Sequence, residues 1–263
     1  MAISGKVGNV YSSALLLENC EDVWTAGSGA SAISVVAGKV GTYCVRDTTT
    51  ALGATTLMMY EDISSTDITA YDGIYCWLRS SVTTAAGDIQ FIVDETSACA
   101  VRLEALNVPI LTTTVWRQFF ARLSDPSVLN AVVSVGLYQV TDLANGTFDV
   151  DDVQALKEID GIKSWTLDYT SDTLEATDFD DSGIKAYIIG GSGWSGSFEG
   201  YKDTTPLGIG AEVYLVMGES TTAYQNWIGK AIITACHPAT SHDGIVSYSY
   251  DFQGTGELQS PDA

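Results

Sequence analysis

The side chains able to do acid–base, nucleophilic or metal chemistry are few in this chain and poorly spaced for it. There are two histidines, His237 and His242, both in the segment CHPATSHDG. Cys236 directly precedes His237. Neighbouring strand residues point to opposite faces, so the two do not form a thiol–imidazole dyad. His237, His242 and Asp243 could hold a metal, against the plainer reading of a loop joining two strands. Ser241 lacks the strand–turn–helix setting that exposes a nucleophilic serine. Carboxylates pair at Glu61–Asp62 and Asp94–Glu95, in turns at strand ends where solvated charge is expected. A glycosidase needs two carboxyls facing across a cleft, a geometry that no spacing here specifies. The chain is therefore expected not to be an enzyme.

The five cysteines, Cys20, Cys44, Cys76, Cys99 and Cys236, are odd in number and lack a C-x-x-C pair. That spacing argues against a zinc site and against a disulfide framework. Their apolar neighbours, as in GTYCV and IYCWL, point to buried free thiols. Cys20–Cys44 and Cys76–Cys99 remain as alternative bridges.

These residues sit in a chain built for strands. It has 263 residues, of which 46% are apolar, enough to bury the core of one large or two ordinary domains. Thr, Ser, Gly, Val and Tyr abound, and long helical windows are absent, so the fold class is all-β. The net charge is −21, from 12 basic and 33 acidic residues spread over both halves. Such a surface repels nucleic acid. The start, MAISGKVGNV, has no apolar run of a signal peptide. No apolar run approaches the length of a membrane span.

Two textures divide the chain. Residues 13–152 carry SAISVV, TYCVRD, TTLMMYE, GIYCWLRSS, GDIQFIVDE, VWRQFFARLS, AVVSVGLYQV and TFDVDDVQAL, separated by polar turns at jelly-roll spacing. In IYCWLRSS, Ile74, Cys76 and Leu78 share one face, and Tyr75, Trp77 and Arg79 the other. Residues 153–263 carry GIKSWTLDYT, SGSFEGYKD, EVYLVMG, NWIGKAIITAC and GIVSYSYDFQG. One short helix is predicted in DDSGIKAYIIGG, with Asp181 or Ser182 as N-cap and Gly190 as its stop. The strand SYSYDFQGTGEL alternates Tyr248, Tyr250 and Phe252 with Ser249, Asp251 and Gln253. It is expected to close a domain by pairing near the chain's beginning, residues 1–12.

The ordered blocks SWTLDYTSDTLEATDFDDSGIKAYIIGGSGWSGSFEGY, EVYLVMG, IGKAIITA and YSYDFQGTGEL resemble the major tail (tail tube) proteins of long-tailed bacteriophages, over Lys157–Leu258. In that family a start like MAISGKVGNVY runs after a few residues into a strand like GIKSWTLDY. Here about 140 residues separate the two, so residues 13–152 read as a domain inserted into the first hairpin of a split tube domain, 1–12 plus 153–263. The resemblance implies a β-sandwich or barrel in homo-hexameric rings, stacked around a channel that DNA passes without specific binding. It implies other tail proteins as partners, no membrane, and a virion tail assembled in the host cytoplasm. Asp172, Glu175, Asp178, Phe179 and Asp180 would lie at subunit or ring contacts. Asp168, Asp181, Glu199, Asp203 and Glu212 join them as carboxylates for an acidic bore.

The insert, opening on LENCEDVW and closing on FDVDDVQ, is similar to the jelly-roll carbohydrate-binding modules of glycan-degrading enzymes. That likeness implies a structural Ca²⁺ on Glu18 and Asp151 or Asp152, against plain turns. It implies host-surface glycans as a partner, with Tyr43, Tyr60, Tyr71, Trp77 and Trp116 as a stacking platform, against ordinary core packing. The alternative function is a capsid-decorating or adhesin protein that binds glycans through the jelly roll.

Overall fold

The structure is a computed structural model that describes residues 8–30, 32–50, 53, 55–143, 145–177, 184–202, 206–219, 224–240, 242 and 244–261. Its strands are β1 (Gly8–Glu18), β2 (Thr25–Ala26), β3 (Ala32–Ala37), β4 (Tyr43–Thr49), β5 (Thr56–Thr66), β6 (Gly73–Ser80), β7 (Ile89–Asp94), β8 (Glu104–Asn107), β9 (Arg117–Arg122), β10 (Val132–Gln139), β11 (Gly146–Glu158), β12 (Ile162–Glu175), β13 (Tyr187–Tyr201), β14 (Glu212–Gly218), β15 (Asn226–Ala239) and β16 (Ser247–Gly254). Two single 3₁₀ turns, Ser97–Cys99 and Pro126–Val128, are the helical elements among the described residues. The protein is all-β and its sheets are antiparallel. The helix predicted over 181–190 does not form as expected: Tyr187–Gly190 belong to β13, paired with β12. The N-cap candidates Asp181 and Ser182 lie outside the described residues.

The chain divides into two compact units, residues 13–158 and residues 1–12 with 159–263. β11 runs unbroken through Asp152 to Glu158, so the division falls at 158/159 rather than at 152.

In the first of these, the sandwich unit, one sheet has the order β3-β4-β11-β6-β9 and the other β2-β5-β10-β7-β8. Alternation aims Val45, Ile74, Cys76, Leu78, Phe119, Phe148 and Val150 from one sheet, and Met59, Phe91, Val93, Val135 and Leu137 from the other, into one core. Phe91 and Phe119 meet there with ring centroids 6.2 Å apart. β11 carries a bulge between Asp151 and Gln154, where Asp152 takes a left-handed φ of 52°. The extra residue resets the alternation, so that Val153 and Ala155 face the core while Asp149 and Asp151 do not.

The other, split unit has the order β12-β13-β16-β15-β14-β1. β16 lies between β13 and β15 and not beside the chain's beginning, which corrects the expected pairing. It is β14 that pairs with β1, through Gly8↔Met217 to Tyr11↔Tyr214. The alternation in β16 holds: Tyr250 and Phe252 are buried with Trp194, Phe198, Leu215 and Ile233. Trp194 lies across Gly229 and Gly254. A Cβ on Gly254 would fall 2.1 Å from the indole, so only glycine fits under the ring. The indole Nε1 donates to the Gly256 carbonyl at 2.9 Å, which fixes the Gly-Thr-Gly turn.

Candidate functional site

Strand register places a row of three side chains across one sheet of the sandwich unit, on the face away from the core. Asp149 of β11 stands directly opposite Arg46 of β4 on one side and Arg79 of β6 on the other. Opposite charges at such cross-strand positions attract. Both oxygens of the buried Asp149 are used. Arg46 donates from Nε to Oδ1 at 2.7 Å and from Nη2 to Oδ2 at 2.9 Å. Arg79 donates from Nε to Oδ2 at 2.7 Å, and its Nη2 lies 2.6 Å from the same oxygen as an ion pair. The Arg79 guanidinium lies 4.3 Å from the centre of the Trp116 ring, in cation–π geometry. Its bond to Asp149 raises the Arg46 pKa above its ordinary value.

A cavity of about 240 Å³ opens over this row, lined by Arg46, Arg79, Ser80, Ser81, Thr114, Thr147 and Asp149. Its rim is tied by backbone bonds: Thr114 N–H donates to the Ser80 carbonyl at 2.7 Å and Ser81 N–H to the Thr147 carbonyl at 2.9 Å. The Ser81 hydroxyl accepts the Thr147 N–H at 2.8 Å. Charge and hydroxyls meet in a concave, prearranged site, the composition of a polar-ligand pocket.

No family model matches the sequence, and no curated protein matches it either. Among solved structures, a chain of the tail of an empty GTA particle, determined with C6 symmetry, is similar at 18% identity and a TM-score of 0.32, covering 41% of this chain and 87% of its own. The family 11 carbohydrate-binding module from Clostridium thermocellum, in complex with a mixed-linked tetrasaccharide, is similar at 17% identity and a TM-score of 0.41, covering 57% of this chain and 96% of its own.

The expected calcium ligands do not assemble. Glu18 Oε1 accepts the Cys20 N–H at 2.9 Å, two residues along its own chain. Asp152 Oδ1 accepts from the Gln154 side chain. Asp151 Oδ2 accepts the Lys39 and Val40 N–H groups at 2.7 and 2.9 Å, and its Oδ1 is buried without a partner. Burial pushes the Asp151 carboxyl up to about 6. Among the described residues no three His, Cys, Asp or Glu side chains gather as a metal-ligand set. His237 Nε2 lies 3.2 Å from Asp251 Oδ2, and Asp243 lies outside the described residues.

The five aromatics do not form one platform. Trp77 is buried, with the Lys39 ammonium 4.8 Å over its ring. Tyr71 packs against the core, Tyr60 belongs to β5 in the other sheet, and Tyr43 is exposed. Trp116 alone touches the row, through Arg79, and does not line the cavity. All five cysteines are free thiols, four of them buried. Burial pushes the Cys44 and Cys99 thiols up to about 12, so neither is a ready nucleophile.

A second surface lies on the split unit. β12 and β13 form a long hairpin, and in its distal half Tyr169, Leu174, Tyr187, Ile188 and Ile189 are exposed, Ile189 at 82%. Leu174 stands opposite Ile188, and Thr173 opposite Ile189. The expected interface residues Asp172 and Glu175 belong to the same stretch, and Glu175 binds the Lys185 ammonium at 2.8 Å. Asp178, Phe179 and Asp180 lie outside the described residues. The apolar side chains were the part of this arm that sequence reasoning missed. Their signal was the run AYIIG, three consecutive residues of strand type with no polar residue in alternation.

Proposed function

We propose that this chain is a structural subunit of a tailed bacteriophage virion, a tail tube protein in homo-hexameric rings stacked around a DNA channel. The observation that supports it best is the exposed apolar half of the β12–β13 hairpin. Leu174 and Ile188 are exposed on one face of the arm and Tyr187 and Ile189 on the other, and exposed apolar surface of this kind calls for a partner. A second copy is the occupant, since rings built from one chain cover the same arm in every subunit. The ordered sequence blocks of 157–258 support the same reading. A net charge of −21 suits a channel that DNA must slide through, because few cations are present to hold phosphates. Other tail proteins would meet the ends of the stack, and assembly would take place in the host cytoplasm. No catalytic step and no membrane belong to this reading.

The sandwich unit would project outward, since an insertion of about 140 residues does not fit a DNA-sized bore. Its role would be to hold host-surface glycans, with many copies giving avidity. The Arg46–Asp149–Arg79 pocket also favours a second reading, an adhesin or capsid-decorating protein that carries the same pocket. Sedimentation of the purified chain tests the first. Six-subunit species and their multiples are expected, and Ile188→Asp with Ile189→Asp should leave monomers. A wild-type chain that stays monomeric at high concentration would overturn the tube.

A further inference from the structure

We infer that the Arg46–Asp149–Arg79 pocket binds an acidic saccharide, through a carboxylate or phosphate on the sugar, and not a neutral glucan. The inference rests on the glycan reading of the sandwich unit. Two guanidiniums face one carboxylate, which leaves one positive charge in a chain that is otherwise strongly acidic. Two of its five arginines line this one cavity. Asp149 is 2% exposed and both its oxygens are occupied, so it presents little to an incoming anion.

Each arginine uses Nε and Nη2 on Asp149, and neither Nη1 makes a hydrogen bond to the described residues. The carboxylate therefore works as an orienting group: it fixes both planes and leaves one charged donor edge on each. Planar guanidinium edges match carboxylate and phosphate oxygens in pairs. Ser80, Ser81, Thr114 and Thr147 add hydroxyls that can meet the sugar's own hydroxyls. Trp116 stacks on Arg79 and holds it from the side. A neutral glucan would leave the surplus charge and both donor edges unpaired inside the pocket, which costs affinity.

The test uses the full chain and isothermal titration with three probes: tetragalacturonic acid, the same tetramer fully methyl-esterified, and inorganic phosphate. The acid should bind, with the ester at least about tenfold weaker, the loss of one charge-assisted hydrogen bond. Arg79→Gln should weaken the acid by a similar factor. Arginine variants disturb Asp149, so two further measurements leave that residue alone. Raising salt should weaken binding of the acid to the unaltered protein. Thr114→Val should weaken the acid without altering its salt dependence. Ester binding equal to the acid would overturn the inference and leave the glycan reading standing. Binding of neither tetramer would overturn both. Phosphate binding without uronate binding would overturn the saccharide and keep only the anion site.

Discussion

The outer face of the sandwich unit and the distal arm of the split unit are opposite solutions to the same problem. On the sandwich face, charge is drawn inward. Asp149 is buried, yet both its oxygens find guanidiniums supplied by the strands on either side. On the arm, apolar side chains are pushed outward. Leu174 pairs with Ile188 and Thr173 with Ile189, and among the described residues nothing covers Leu174, Ile188 or Ile189. Exposed single leucines and buried apolar residues are ordinary. A buried charge or an exposed apolar row is the informative departure. The first is completed within the chain and leaves a pocket; the second stays open among the described residues.

The contrast can be broken from the side of the core. Trp194→Ala removes an indole that lies across Gly229 and Gly254, and should cost about 4 kcal/mol. Hydrogen exchange should rise across β13, β15 and β16 and stay level in the sandwich unit; a uniform rise would show that the two units unfold together. Asp149→Ala should cost about 3 kcal/mol, because it leaves two cations facing each other without their shared carboxylate. A urea midpoint unchanged by that substitution would mean that the row is ornament to the fold.

The pH dependence sharpens the same contrast. Asp47 is buried on the core-facing side of β4, with neither oxygen hydrogen-bonded. Burial raises its carboxyl from the ordinary 3.8 to about 7. Between those values the unfolded chain has lost the proton and the folded chain keeps it. Stability therefore falls as pH rises through that window and levels above it. Asp47→Asn should narrow the loss, so its advantage over the wild type should grow from pH 4 to pH 7; a constant difference would contradict the assignment. The smallest expected effect on stability is on the arm. Leu174→Ser should change the unfolding free energy by less than about 0.5 kcal/mol while reducing self-association in sedimentation.

Much of the fold was legible because strand alternation is local. Ile74, Cys76 and Leu78 against Tyr75, Trp77 and Arg79 is the arrangement found. β2 and β8, of two and four residues, are too short to leave a period. The helix in DDSGIKAYIIGG failed because capping signals are weak where a long strand offers a ladder. Ile188 and Ile189 favour strand, and Gly190 lets the Asp172 backbone approach. The pairing of β16 failed because sheet order depends on contacts far apart in sequence. The pocket was hidden for the same reason. Arg46 and Arg79 lie 103 and 70 residues from Asp149 in the chain. The one local hint was in FDVDD, where carboxylates alternate with core residues and need donors from elsewhere in the fold, guanidiniums for Asp149 and backbone N–H groups for Asp151.

The central claim is that the open arm is closed by copies of this chain. Electron microscopy of the purified protein tests it most directly. Six-fold rings stacked into tubes are predicted for the wild type, with dispersed single particles for the Ile188→Asp, Ile189→Asp double variant. Wild-type monomers indistinguishable from that variant, or trimers seated on a capsid, would contradict it.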